Sequence, residues 1–190
     1  MNRISKLLAG LLLLASAWSA SAELPQVLME TSMGNIVLEL YPEKSPRTVK
    51  NFVNYVKTQY YDAVIFHRVM SGWVIQAGNY DADLVGYETD PPIRNEATNG
   101  LKNDRGTIAM AHADDPHSAD SQFFINLNDN HSLNHSARTL DNYGFCVFGK
   151  VIEGLEVVDA IGTVETHAIQ GFENLPVETV LIHKVTMLRE

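Results

Sequence analysis

Apolar and polar residues alternate most regularly near residue 30. Val27-Leu28-Met29-Glu30-Thr31 and Ile36-Val37-Leu38-Glu39-Leu40 flank Gly34-Asn35, a spacing that predicts a β-hairpin with its turn at that dipeptide. The period then changes. Ser45 can cap a helix with Pro46 at its first position, and Val49, Phe52, Val53 and Val56 recur at i, i+3, i+4 and i+7. A helix over about 46–57, with one face on an apolar interior, is therefore expected. Short apolar runs follow at 64–70, 73–77, 107–111, 122–127 and 145–151, separated by stretches rich in Gly, Asn, Asp and Pro. This spacing favours an all-β sandwich or barrel over alternating β-α units. Leu155, Val158 and Ile161 share one face of a second predicted helix, and 180–188 reads as a last strand. Two loops, 79–106 and 128–144, are long enough to suggest a functional role. Within the first, Asn95-Glu96-Ala97-Thr98-Asn99-Gly100 is turn-rich and reads as a solvated loop ordered by Asn side chains, with direct contact to a ligand as the alternative.

The N-terminus stands outside this pattern. Arg3 and Lys6 precede an apolar run from Leu7 to Ala17, and Ala20-Ser21-Ala22 closes the segment, so residues 1–22 read as a secretory signal cleaved before Glu23. The run is shorter than a membrane-crossing helix needs, and no cysteine at the cleavage site supports a lipid anchor. The expected product is one domain over 23–190, exported to the periplasm, with no membrane anchor after cleavage and with monomer as the default state. Removal of Arg3 and Lys6 leaves 12 of the 14 basic residues against all 23 acidic ones, a formal charge of −11. Nucleic acid and anionic membranes are poor partners for such a surface. Cys146 is the sole cysteine, so no internal disulfide is possible. Its setting in Phe145-Cys146-Val147-Phe148 reads as a small buried side chain rather than a reactive thiol.

The chemistry centres on 66–78, where Arg68 and Gln76 interrupt residues that otherwise read as buried strand. A guanidinium offers five fixed donors and stays protonated, so Arg68 can hold a carbonyl or meet a lone pair but cannot act as a base. By itself, an arginine in a strand is more often a structural ion pair than a catalyst, and Gln76 and Gln122 can simply satisfy buried backbone groups. His112, His117, His131 and His135 with nearby aspartates raise a metal hypothesis. The residues from Asn128 to Asn134 are too rich in turn formers to fix ligands, and no metal or cofactor is expected. A hydrolase built on Ser121 and His112 lacks a strained nucleophile turn.

Five segments, Phe66-His67-Arg68-Val69, Gln76-Ala77-Gly78, Gly106-Thr107-Ile108-Ala109-Met110-Ala111, Ser121-Gln122-Phe123-Phe124-Ile125 and Val147-Phe148-Gly149-Lys150-Val151, resemble in order and spacing those of the cyclophilin peptidyl-prolyl isomerases. The likeness runs from about Val27 to Leu188, and 95–111 is similar to the bacterial exported branch. The resemblance implies a mainly β fold, a closed eight-stranded antiparallel barrel with a helix over each end and a substrate groove on its outside. It implies Arg68 as the catalytic arginine and Gln76 as the residue that orients it. Phe66, Trp73, Val74, Ala111, His112, Gln122, Phe124, Leu133 and Phe145 are the implied substrate-binding residues. Clients would be proline-containing unfolded or newly exported polypeptides. A peptide-binding chaperone or scaffold that kept the groove without catalysis is the alternative. Ser132 replaces a common rim tryptophan, so weak binding of cyclosporin is expected, while Ser71, Trp73, Val74, His112 and Phe145 also depart from the common residues.

Overall fold

A computed structural model describes residues 23–190, so the expected signal segment, 1–22, lies outside the described residues. Ten strands and two α-helices follow in the order β1 (Gln26–Thr31), β2 (Gly34–Leu40), α1 (Pro46–Lys57), β3 (Arg68–Met70), β4 (Val74–Ala77), β5 (Thr107–Met110), β6 (Phe123–Asn126), β7 (Val147–Glu153), α2 (Leu155–Ile161), β8 (Thr166–Ile169), β9 (Phe172–Pro176) and β10 (Ile182–Arg189). Eight strands form one antiparallel sheet in the order β10-β1-β2-β7-β5-β6-β4-β3, and β8-β9 stands apart as a hairpin. The sheet curls into a half-barrel through 207° and does not close, which corrects the expected closed barrel. Its edge strand β3 is only three residues long. The gap to β10 is spanned instead by an isolated bridge, Ile65 to Leu181, flanked by Phe66 N–H to Val180 O (2.9 Å) and Ile182 N–H to Val64 O (2.8 Å).

The first turn also differs from expectation. Gly34 pairs with Thr31, so the turn lies at Ser32-Met33 and Gly34-Asn35 already belongs to β2. Gly34 is needed for another reason: its φ is +133°, and a Cβ there would come within 2.8 Å of Val157 on α2. This contact puts α2 at the start of β2, whereas α1 follows the end of β2, so the helices sit at opposite ends of the sheet.

Helix α1 buries Val49, Phe52 and Val56 in the interior, where Phe52 meets Tyr61, Phe123 and Phe148 at ring-centroid distances of 5.2, 5.6 and 5.2 Å. Loss of a ring so enclosed costs about 3–5 kcal/mol. Ser45 occupies the cap position, but its hydroxyl donates to Val147 O (2.8 Å) instead of capping. The Glu96 carboxylate takes that role from 48 residues away, accepting from the backbone N–H of Thr48 (2.9 Å) and Arg47 (3.1 Å). A carboxylate there also favours the helix dipole. Asn95 and Asn99 order their loop through bonds to Gly144 O (2.8 Å) and Val147 O (2.9 Å), but Asn95 is buried, so the expected solvated loop is packed. Cys146 is buried, and burial raises its thiol pKa.

Candidate active site

Strand register builds the site. Arg68 on β3 pairs with Gln76 on β4, Gln76 with Phe124 on β6, and Phe124 with Ala109 on β5. Directly opposed residues share a face, so these four form one row across the sheet. The next row, Val69, Ile75, Ile125 and Ile108, fills the barrel interior and is at most 2% exposed. The sheet is thus covered on both faces here, which is why β6 is buried at all four positions. On the outer face Val74, Ala109, Phe124 and Val147 make a second apolar cluster, with Trp73, Ala111, Leu133 and Phe145 packed against it.

That outer cluster frames a cleft of about 350 Å³ lined by Arg68, Trp73, Val74, Gln76, Ala111, His112, Phe124, Leu133 and Phe145. Its volume suits a small ring with its flanking backbone. Arg68 is the one permanent charge on its wall. The guanidinium donates from Nη1 to Gln76 Oε1 (3.1 Å) and lies over the Trp73 ring, 5.3 Å from Cζ to centroid. Gln76 Nε2 donates in turn to Gln122 Oε1 (2.9 Å). Burial lowers the Arg68 pKa, the Glu173 carboxylate on β9 opposes that shift, and the group stays charged. No carboxylate lies within 4.0 Å of it among the described residues, so the other N–H donors are free to face a ligand.

The far wall is carried by the 128–144 loop, whose order comes from buried amides. Asn103, fully buried, takes the Asn134 side chain on its backbone N–H (2.7 Å) and donates to Leu133 O (3.1 Å) and Phe145 O (3.3 Å). Asn130 Nδ2 donates to Trp73 O (2.8 Å), fastening the loop to the opposite rim. Gly144 closes the loop at φ +73°, where a Cβ would lie 2.5 Å from His135 N. His112 stacks on Phe145 at 4.2 Å and 15°, with Nδ1 2.6 Å from Ala113 O and Nε2 3.3 Å from Gly144 O. A neutral imidazole can donate to only one of these carbonyls.

The sequence pattern of the family described as Cyclophilin type peptidyl-prolyl cis-trans isomerase/CLD matches residues 26–187. The chain belongs to that family. The peptidyl-prolyl cis-trans isomerase cyp18 of Streptomyces antibioticus is 49% identical over 160 residues, 84% of this chain and 96% of that protein. A peptidyl-prolyl cis-trans isomerase of Acinetobacter baylyi is 45% identical over 185 residues, 97% of this chain and 95% of the relative. Among solved structures, a cyclophilin type peptidyl-prolyl cis-trans isomerase of Cryptosporidium parvum, crystallised in the presence of the dipeptide Ala-Pro, superposes with a TM-score of 0.74 at 26% identity. The match covers 87% of this chain and 99% of that one. The protein is accordingly a peptidyl-prolyl cis-trans isomerase with the cyclophilin fold.

Nine of the eleven residues singled out from the sequence line this cyclophilin's cleft. Gln122 lies one step away, in an adjoining hollow of about 260 Å³ that shares Gln76, Ala111 and His112 with the cleft. Phe66 is a correction. It is fully buried in the interior cluster and does not line the cleft, so it is a core residue. Two residues apart on a regular strand, Phe66 and Arg68 would share a face; β3 begins only at Arg68, and the backbone before it does not keep the alternation. Two groups of supporting residues escaped the sequence reading. His67 is 5% exposed, packs edge-on to Tyr80 at 4.8 Å, and its Nδ1 has no hydrogen-bond partner among the described residues. Burial first, and the Arg68 charge second, lower its pKa to about 4, so the ring stays neutral beside Arg68. Asn103 and Asn130, from stretches that read as loops, and Asn126, from the 122–127 run, form one buried network, Asn126 Nδ2 to Asn103 Oδ1 (3.2 Å) and Asn130 Nδ2 to Asn126 Oδ1 (2.7 Å). Two histidines of the metal hypothesis bond to backbone instead: His135 Nδ1 meets Tyr143 O at 2.7 Å, and His117 Nδ1 accepts from Asn95 N–H at 3.3 Å. The Ser121 hydroxyl is buried against Tyr60 OH (3.4 Å).

Proposed function

We propose that this cyclophilin accelerates rotation of X-Pro bonds in unfolded or newly exported polypeptides, and that Arg68 stabilises the twisted transition state. The observation that carries the reading is the Arg68 guanidinium: it lies on the wall of an apolar cleft, steadied by Gln76 and Trp73, with no ion-pair partner among the described residues. The Ala-Pro dipeptide used with the Cryptosporidium relative supports proline-containing chains as ligands.

An X-Pro bond resists rotation because the nitrogen lone pair is delocalised into the carbonyl, a barrier of about 18–20 kcal/mol. As the bond twists, the prolyl nitrogen becomes pyramidal and its lone pair localises. A guanidinium N–H then gains an acceptor that the planar amide hardly offers, which is differential binding of the transition state. The apolar wall formed by Val74, Phe124, Leu133 and Phe145 holds the pyrrolidine ring. Ala111 and His112 pair with the backbone on one flank, and rotation is confined to the other. A ten-thousandfold acceleration needs only about 5.5 kcal/mol, within reach of one charged donor plus fixed geometry.

The chain acts as a monomer without metal or cofactor, in the periplasm, after cleavage behind Ala22. Cyclosporin binds weakly, because Ser132, exposed at the rim, offers no indole to pack against. The test is export of the full chain followed by sequencing of the mature N-terminus, with purified protein added to the refolding of a substrate limited by a prolyl bond. A mature chain beginning at Glu23 and a faster slow phase are expected. Retention of the first 22 residues in the cytoplasm would overturn the export reading, and an unchanged slow phase the folding role.

A further inference from the structure

The core-facing stripe of α1 leaves the opposite stripe to solvent. Arg47, Lys50, Asn51 and Asn54 follow the same i, i+3, i+4, i+7 spacing on that side. With Ile93 and Arg94 from the long loop they line a groove of about 610 Å³, against about 350 Å³ for the cleft. Arg47, Lys50 and Arg94 are exposed, and no carboxylate lies within 4.0 Å of their side-chain nitrogens among the described residues. The acidic groups at the groove's two ends have other bonds: Glu96 accepts from the Thr48 and Arg47 backbone, and Asp90 accepts from Asn54 Nδ2 (3.1 Å). In a chain of formal charge −9, this concavity is lined by three cations and no carboxylate.

The groove adjoins the site. Ile93 N–H donates to Ala119 O (2.8 Å) and Asn51 Nδ2 to Asp120 O (2.6 Å), so the 118–122 segment is the ridge between them. The other side of that ridge, with Ser118, Asp120 and Gln122, lines the 260 Å³ hollow that opens into the cleft through Gln76, Ala111 and His112. Cleft, hollow and basic groove therefore follow one another across the surface.

Building on the isomerase reading, we propose that the Arg47–Lys50–Arg94 groove is a second docking site, which takes an acidic segment of the same polypeptide whose X-Pro bond occupies the cleft. Ile93 gives the segment an apolar wall, and the acidic surface elsewhere repels it, so the attraction selects position as well as charge. Tethering through the cleft raises the segment's effective concentration at the groove. Nucleic acid and anionic membranes carry their charge over areas that would meet the acidic surroundings.

The test uses the mature protein and an Arg47→Gln/Arg94→Gln variant. Peptides share one Ala-Pro core and carry an Asp/Glu tract, or a Gln/Asn tract of equal length, on either flank. For wild type at low salt, the acidic tract on one flank should lower KM about five- to tenfold relative to its neutral control, the scale of two exposed ion pairs acting together. The gain should vanish in the variant and at high salt, while turnover of the short Ala-Pro peptide is the same in both proteins. No gain from either flank, or a gain that survives the double substitution, overturns the proposal. So does tighter binding of single-stranded DNA or anionic vesicles than of the acidic peptide at the same groove. If even the short peptide is not turned over, the isomerase reading fails instead, and anisotropy of the labelled acidic peptide still reports on the groove.

Discussion

Replacing Gln76 by methionine keeps the length of the side chain and removes the acceptor that steadies Arg68. The lost bond joins a charged donor to an amide oxygen at 3.1 Å, a class worth about 1.5–3 kcal/mol. The guanidinium keeps its place over Trp73, 5.3 Å away, which retains about 0.5–1 kcal/mol of the positioning. The difference, about 1–2 kcal/mol of transition-state stabilisation, corresponds to a five- to thirtyfold fall in kcat/KM. Because the charge stays and the apolar wall is untouched, kcat should carry most of the fall and KM little. Protease-coupled kinetics on a short X-Pro peptide measure both. The double variant Arg68→Ala/Gln76→Met closes the cycle: if Gln76 works through Arg68, the second substitution adds almost nothing once the first is made. An equal Gln76→Met effect with and without Arg68, or none at all, would refute the reasoning.

Three further outcomes follow from the supporting structure. Glu96→Ala removes the long-range cap of α1 and should lower stability by about 1–2 kcal/mol in urea unfolding, with kcat of the folded protein unchanged; an unaltered midpoint would remove the cap assignment. His67, held near 4 when folded against about 6.5 when unfolded, binds its proton first in the unfolded chain. Its contribution is thus fully present above pH 6.5 and is lost as pH falls toward 4, a difference of about 3 kcal/mol. His67→Gln should flatten the acid limb of the stability curve over that window, and parallel curves for the two proteins would contradict the assignment. Gly144→Ala forces a side chain into a φ of +73° against the backbone of 134–135. It should cost more than about 1 kcal/mol and, by shifting Leu133 and Phe145, lower kcat/KM as well; wild-type values for both would show the loop wall to be adjustable.

Parts of this molecule could be read from local pattern and parts could not. Helix α1 was legible to the residue, because Pro46 marks its start and Val49, Phe52 and Val56 mark its buried face. The candidate cleft was legible because its row of residues runs through segments with strong family likeness, Arg68 to Gln76 and Gln122 to Phe124. The β8-β9 hairpin was missed because its burial is irregular: β8 has no buried residue, and β9 is buried only at Leu175 and Pro176. Closure of the sheet depends on whether the chain before β3 pairs with β10 along its length, and no alternation within 64–67 reports that. The Asn103 network depends on contacts spanning up to 57 residues, so nothing in the local pattern around its amides reports it before the fold brings them together.

The central claim is that a single fixed cation, poised in an apolar cleft, does most of the catalysis. The direct measurement is kcat/KM of Arg68→Ala on a short X-Pro peptide, with peptide affinity measured separately on the same protein. The account predicts a loss of about a hundred- to a thousandfold in kcat/KM, the scale of removing one preorganised donor, with affinity changed only a few-fold. Turnover within twofold of wild type would contradict it.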